Sequence, residues 1–355
     1  MRFWRRFKTK FLDFEHPPKP SAVAMADAFL VVVILLSYAM VQHVIPAHFI
    51  SGRISAYRSR HSITVESSAP PSPVIVSTPA PTSTPKPVGE LTLAEKFADK
   101  FSDSVEITDH SYRSPDVSVE IIEHMYEEGS HLQHWYEADI YTSDIFCLQT
   151  YVHDDSDGQA GNSMLLMAEL SRSVAAINGD YAVTTDSGVI VRNGEVLRES
   201  PGTAQICVMF RDGSVKCFAP DEYDSESVMK KGVWQAWTFG PSLLDEKGKA
   251  LTSFPAYYGN VLENNPRTVL GYYEPGHYCF VVIDGRQPGY STGTDMSETA
   301  KLMEGLGCKV AFNLDGGRSS QMTFGSEFAN HPYNDGRYVG DIVIVKDIFE
   351  QEETK

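Results

Sequence analysis

The chain has 355 residues, 42% hydrophobic and 22% charged, with 30 Lys and Arg against 47 Asp and Glu for a net charge of −17. That length can bury a sizeable core, and the acidity excludes nucleic acid as a partner, because binding a phosphate backbone needs a basic face. The charge is unevenly spread: residues 90–355 carry 43 acidic and 20 basic side chains, a net −23, against +6 for residues 1–89.

Residues 1–27 form a basic tail, and residues 28–50 follow with no Asp, Glu, Lys or Arg, centred on Phe29-Leu-Val-Val-Val-Ile-Leu-Leu36. The uncharged stretch is long enough to cross a hydrocarbon core as a helix and longer than the apolar region of a typical signal peptide. With the basic flank ahead of it, the expected topology is a single-pass anchor, N-terminus cytoplasmic and C-terminal domain extracytoplasmic. A cleaved signal peptide is the competing reading, against which no convincing A-x-A site follows. Residues 51–89 are rich in Pro, Ser and Thr, cannot bury apolar surface, and favour extended polyproline conformations. They read as a linker to the domain at residues 90–355.

In that domain, Leu91 to Phe101 places Leu93, Ala94, Phe97 and Phe101 on one face of an amphipathic helix. Strand patterns then dominate: Val117 to Tyr126, Leu132 to Tyr141 and Ile145 to Val152. A helix from Met164 to Arg172 feeds the apolar strand Val174 to Ile177. Two hairpins follow, around Asn193-Gly194 and Asp212-Gly213. Strands are expected at Thr268 to Tyr272 and Tyr278 to Ile283, then a helix from Ser297 to Leu306 and strands Val310 to Asn313 and Asp341 to Val345. Many hairpins with few helices predict an α+β domain on a mixed, largely antiparallel sheet.

Five cysteines, Cys147, Cys207, Cys217, Cys279 and Cys308, contain no C-x-x-C pair and so no zinc signature. If Arg211-Asp-Gly213 is a three-residue hairpin loop, Cys207 and Cys217 face each other across the strands. They would then form either a cross-strand disulfide or two buried thiols.

Four strand ends share a chemical character. Ile177-Asn-Gly-Asp-Tyr181 ends in an amide and a carboxylate, and Asn264-Asn-Pro-Arg-Thr268 places a guanidinium at a strand start. Ile283-Asp-Gly-Arg-Gln287 and Leu314-Asp-Gly-Gly-Arg-Ser-Ser320 each follow an apolar strand with Asp, glycine and Arg. Any one of these is an ordinary turn. Together they gather carboxylates and arginines as an anionic substrate cleaved by acid–base chemistry would need.

Several weaker motifs fail on inspection. Gly289-Tyr-Ser-Thr-Gly293 fits G-x-S-x-G, but Asp284 to Gly289 separate it from the preceding strand, unlike a nucleophile elbow. His153-Asp-Asp-Ser-Asp-Gly158 places Met164 where a calcium loop needs its bidentate Glu. A divalent cation on the Asp clusters stays open. Packing explains His124, His131 and His134 better than metal does, and Trp234 and Trp237 better than sugar stacking does. Glu298 opens a helix and has sufficient cause there in the helix dipole.

These motifs, with Gly240-Pro-Ser-Leu243, Ser291-Thr-Gly293 and Met296-Ser-Glu-Thr-Ala300, occur in an order that resembles the phosphodiester glycosidase family over about Val174 to Val345. The resemblance implies hydrolysis of the bond between a sugar's anomeric carbon and a phosphodiester oxygen, here in a surface or secreted glycan. It implies Asp180, Asp284 and Asp315 as nucleophile or acid–base groups, with Arg267, Arg286 and Arg318 for the phosphate. Asn178, Ser319 and Ser320 would hydrogen-bond sugar or phosphate oxygens. The alternative is a catalytically silent glycan-binding or exopolysaccharide-assembly protein on the same fold. One departure stands out: the family pattern Asn-Leu-Asp-Gly-Gly-Gly-Ser-Ser has Arg318 in place of its third glycine.

Overall fold

The computed structural model describes residues 91–128, 131–153, 161–181, 185–255 and 262–349. The expected membrane anchor and the linker lie outside these residues. None of the described helices is long and apolar enough to cross a membrane.

The described chain opens with helix α1 (Leu93–Lys96) and strands β1 (Glu106–Ile107), β2 (Ser111–Arg113), β3 (Val117–Glu128) and β4 (His131–Thr142). Next come β5 (Leu148–Val152), helix α2 (Met164–Ser171), β6 (Ala175–Asn178), β7 (Gly188–Arg192), β8 (Glu195–Ser200), β9 (Gln205–Phe210) and β10 (Val215–Phe218). Helix α3 (Ser225–Lys230) leads to β11 (Val233–Phe239), β12 (Arg267–Glu274), β13 (His277–Ile283), helix α4 (Met296–Gly305) and β14 (Val310–Asn313). The chain then runs through β15 (Met322–Phe324), β16 (Glu327–Phe328) and β17 (Asp341–Val345).

Three sheets result, with orders β1-β2-β3-β4-β13-β12-β14, β10-β9-β11-β7-β8 and β16-β15-β6-β17-β5. Every ladder within them is antiparallel. The sheet-dominated fold with few helices matches the sequence expectation.

Strand alternation explains how the sheets combine. Tyr278, Phe280 and Val282 of β13, Cys207 and Met209 of β9, and Val343 and Val345 of β17 enter one shared core. The intervening residues face outward, where a helix covers each sheet. Val281 and Ile283 lie with Ala300 and Met303 of α4, Val208 with Val228 of α3, and Ile342 with Met167 of α2. Burial on both faces is why these strands read as continuous apolar runs.

Two expected elements are shorter than the sequence pattern. Helix α1 spans four residues, not eleven, because the chain after Phe97 gives its carbonyls to a side chain. The Arg113 guanidinium takes Asp99 O, Lys100 O and Phe101 O. Ile145–Cys147 is a 3-10 turn, not the start of a strand, capped by Asp144 Oδ1 accepting from Phe146 N at 2.9 Å. Cys207 and Cys217 do stand directly opposite each other, as the hairpin requires, and both are free thiols.

Strand β11 carries both tryptophans into the shared core: Trp234 Nε1 donates to Leu148 O at 2.6 Å, and Trp237 is fully buried. Replacing Trp237 by Ala is expected to destabilise the fold by about 3–5 kcal/mol. Urea denaturation would measure this, and a cost under about 1 kcal/mol would remove Trp237 from the core.

Candidate active site

The site follows from the register of β12. Arg267 pairs with Ile283 on one side, and Val269 pairs with Asn313 on the other. Leu314 N continues the ladder past β14 by donating to Thr268 O at 2.8 Å. Alternation therefore sends Arg267, Asn313 and Asp315 to the α4 face, while Thr268, Leu314 and Asp284 turn to the shared core. On the α4 face lies a cleft of about 460 Å3, lined in part by Arg267, Arg286, Asn313, Asp315, Arg318 and Arg337.

Backbone carbonyls hold Arg267 and Arg318, and a side-chain amide holds Arg286. Arg267 is 7% exposed and donates to Thr294 O at 3.1 Å and Glu263 O at 2.8 Å. Burial pulls its pKa down to about 10, opposed by Asp295 and aided by Arg286, so it stays charged at neutrality. Arg286 sits at φ 59°, and its Nε and Nη2 converge on Asn265 Oδ1 at 2.9 and 2.6 Å. Arg318 donates through Nη2 to Gly336 O at 2.7 Å and Asn334 O at 3.3 Å.

Asp315 is the carboxylate of the cleft among the described lining residues, with its side chain 15% exposed. Ser319 Oγ donates to its Oδ2 at 2.6 Å, and Arg337 Nη2 donates to the same oxygen. Burial pushes the Asp315 carboxyl above the usual range, while Arg337, Ser319 and the Gly316 backbone pull it back. Gly316 and Gly317 make the loop possible: a Cβ on Gly316 would meet Pro266 O at 2.9 Å, and Gly317 has φ +65°. Arg318, the departure from the resembled glycine pattern, lies in the 3-10 turn Gly317–Ser319 and is not among the positive-φ residues. A side chain at that position therefore leaves the loop intact.

The other sequence candidates stand behind the cleft. Asn178 is a brace: its Nδ2 donates to Asp315 O at 2.7 Å, and its Oδ1 accepts from Thr268 Oγ1 at 2.8 Å. Ser319 supports Asp315, whereas Ser320 Oγ is buried with no hydrogen-bond partner among the described residues. Asp284 receives Asn330 Nδ2 at 2.7 Å, Tyr290 OH at 2.9 Å and His331 N at 3.0 Å. Burial raises its pKa and these donors lower it. Ser291 donates to Asp284 O at 2.6 Å from full burial, so it is no exposed nucleophile.

Asp180 belongs to a buried charge network. Arg192 Nη2 lies 2.8 Å from Asp180 and 2.7 Å from Asp341, with all three side chains at most 1% exposed. Thr238 N also donates to Asp180 Oδ2 at 2.7 Å. Burial works against the charge on Arg192, but the two carboxylates more than offset it and hold the guanidinium charged.

Thus Arg267, Arg286, Asp315 and Arg318 meet in one cleft, while Asp180, Asp284, Asn178, Ser319 and Ser320 are not among its described lining residues. Arg337 is the functional candidate that the sequence reading missed. Its signal was present, because Asp335-Gly336-Arg337 repeats the Asp-Gly-Arg pattern of residues 284–286. Glu298 closes a capping box with Asp295 on α4, which accounts for that acid structurally. Among the described residues, no group of three or more His, Cys, Asp or Glu side chains is placed to hold a metal ion.

Residues 171–346 match a family model described as phosphodiester glycosidase. The SPbeta prophage-derived uncharacterized protein YomE of Bacillus subtilis (strain 168) is 28% identical over 175 residues. That alignment takes in 48% of this chain and 27% of the relative, so the chain spans well under half of the relative's length. Among solved structures, the zebrafish N-acetylglucosamine-1-phosphodiester alpha-N-acetylglucosaminidase catalytic domain, auto-inhibited by its pro-peptide, aligns with a TM-score of 0.54 at 16% identity. The alignment covers 69% of this chain and 88% of that one, a likeness of fold.

The buried network gives a direct test of where Asp180 belongs. Arg192→Met would strand two carboxylates in the core and is expected to cost about 3–5 kcal/mol. Asp180→Asn should also lower the denaturation midpoint, and an unchanged midpoint would return Asp180 to the list of chemical groups.

Proposed function

Residues 171–346 belong to the phosphodiester glycosidase family, and on that premise we propose that the chain hydrolyses a sugar-1-phosphodiester at the cleft around Asp315. The observation that carries this proposal is the composition of the cleft: among its described lining residues, four guanidinium groups, from Arg267, Arg286, Arg318 and Arg337, stand beside one carboxylate. In ordinary glycoside hydrolysis a second carboxyl protonates the departing oxygen. A phosphate departs as a stable anion, so it needs charge neutralisation more than a proton. The arginines supply that neutralisation.

In the proposed step, the bond between the anomeric carbon and the phosphodiester oxygen breaks and its electron pair leaves with the phosphate monoester. Water forms the new bond to the anomeric carbon. The Asp315 carboxylate stabilises the positive charge developing there and takes up the proton of the water. Asn178, Ser319 and Arg337 position the carboxylate. Asp284 and Asp180 act at a distance, through the loops they anchor.

Incubating the purified full chain with sugar-1-phosphodiester model compounds tests the activity, with free sugar as the readout. Asp315→Asn is expected to abolish turnover while moving Tm little. Binding without release of sugar in the wild type would favour the silent glycan-binding alternative instead.

The pH profile gives a second prediction. Asp315 works ionised, so activity is lost as pH falls through its pKa. Because burial raises that pKa, the acid limb should lie above the ordinary carboxylate value. Arg337 lowers the Asp315 pKa, so Arg337→Ala should move the limb to higher pH. An unmoved limb would separate Asp315 from the rate.

The uncharged residues 28–50 support a membrane-anchored, extracytoplasmic enzyme. Alkaline carbonate should leave the full chain in the membrane fraction. Its release would count against an anchor.

A further inference from the structure

Asn313 lines the cleft, is 3% exposed, and plays no part in the chemistry above. Its Nδ2 donates to Gly240 O at 2.9 Å, which fixes the amide with Oδ1 as its remaining polar atom. That Oδ1 is buried and has no hydrogen-bond partner among the described residues. A buried acceptor left unpaired is costly, so its presence in a substrate cleft points to a donor supplied by the substrate.

The identity of that donor follows from chemistry. Phosphodiester oxygens are acceptors only and cannot pair with Oδ1, so the phosphate must lie toward the arginines. A sugar hydroxyl or amide N–H is a donor. Asn313 also stands two residues before Asp315 on the same face, and two extended residues span roughly 6.6 Å, the scale of one sugar ring. Phe239 and Met296 line the same cleft and offer apolar surface to the C–H face of a ring.

We propose that Asn313 is the sugar-recognising residue of the cleft, accepting a hydrogen bond through Oδ1 from one ring substituent of a glycosyl phosphate. The site then selects for a donor at that substituent and discriminates against analogues lacking it. This proposal rests on the glycosyl-phosphate reading and adds to it which side of the cleft reads the sugar.

The test is a binding cycle on the full chain by titration calorimetry, with inorganic phosphate, glucose 1-phosphate and the monodeoxy forms of glucose 1-phosphate as probes. In the wild type one monodeoxy form should bind about 10–100-fold more weakly than the parent. In Asn313→Ala that difference should vanish, while inorganic phosphate binds equally to both proteins. Equal phosphate binding also reports that the variant is folded, and Asn313→Ser serves if the alanine form does not fold. An unchanged preference among the deoxy forms in the variant would overturn the proposal. Failure of both inorganic phosphate and glucose 1-phosphate to bind the wild type would overturn the glycosyl-phosphate reading itself, and this proposal with it.

Discussion

The antiparallel register of β12 against β13 and β14 is the constraint from which the site follows. Val269 opposite Asn313 and Arg267 opposite Ile283 fix which residues share a face. A one-residue slip of β12 would send Arg267 into the apolar core and bring Thr268 to the cleft. The register is protected because each face is buried. Leu270, Phe280, Val282 and Phe312 belong to the shared core, and Val269, Val281, Ile283 and Ala311 pack beneath α4. Hydrophobic packing therefore decides where the polar strand ends point.

The same alternation separates two similar motifs. Asp284 and Asp315 each end an apolar strand ahead of glycine and arginine, yet they reach opposite sides of the sheet. Asp284 faces Asn330, Tyr290 and the His331 backbone, and Asp315 faces Arg337 and Ser319. Asp180 ends in a third environment, where Arg192 ties the end of β7 to Asp341 at the start of β17 and so joins two sheets. Burying three charges is expensive unless the geometry satisfies them. Arg192 meets that condition by donating to both carboxylates and to Ala236 O and Val191 O.

Much of the fold was legible because its signals are local. Period-2 runs, Asn193-Gly194 and Asp212-Gly213 located the hairpins, and the paired cysteines followed from one turn geometry. Strand β11 was not legible as an element, although its tryptophans read as core rather than as sugar-stacking residues. The length of α1 depended on Arg113, a residue distant in sequence. For the site, Arg267, Arg286, Asp315 and Arg318 could be named from their strand-end positions. The sequence could not say which carboxylate faces the cleft, because that depends on the strand partner. Arg337 was overlooked because it follows no apolar strand, although it shares the Asp-Gly-Arg triplet.

On the proposed function, the cleft attracts an anion inside a domain, residues 90–355, whose charges sum to −23. The field of the whole domain opposes this, so the attraction has to be local. The way the arginines are held shows how it arises. Arg267 is oriented by Thr294 O and Glu263 O, Arg286 by Asn265 Oδ1, and Arg318 by Gly336 O and Asn334 O. These acceptors are neutral and fix direction, and Asp295 also acts on the charge of Arg267. Arg192 is the contrast, a guanidinium matched by two carboxylates and fully buried. In the core, charge is paired and serves cohesion; in the cleft, carbonyl and amide oxygens supply direction, which suits the proposed phosphate-binding role. Among the described residues, Arg337 is the one of the four that pairs directly with the cleft carboxylate, so in the proposed reaction it would stand between the phosphate and the carboxylate.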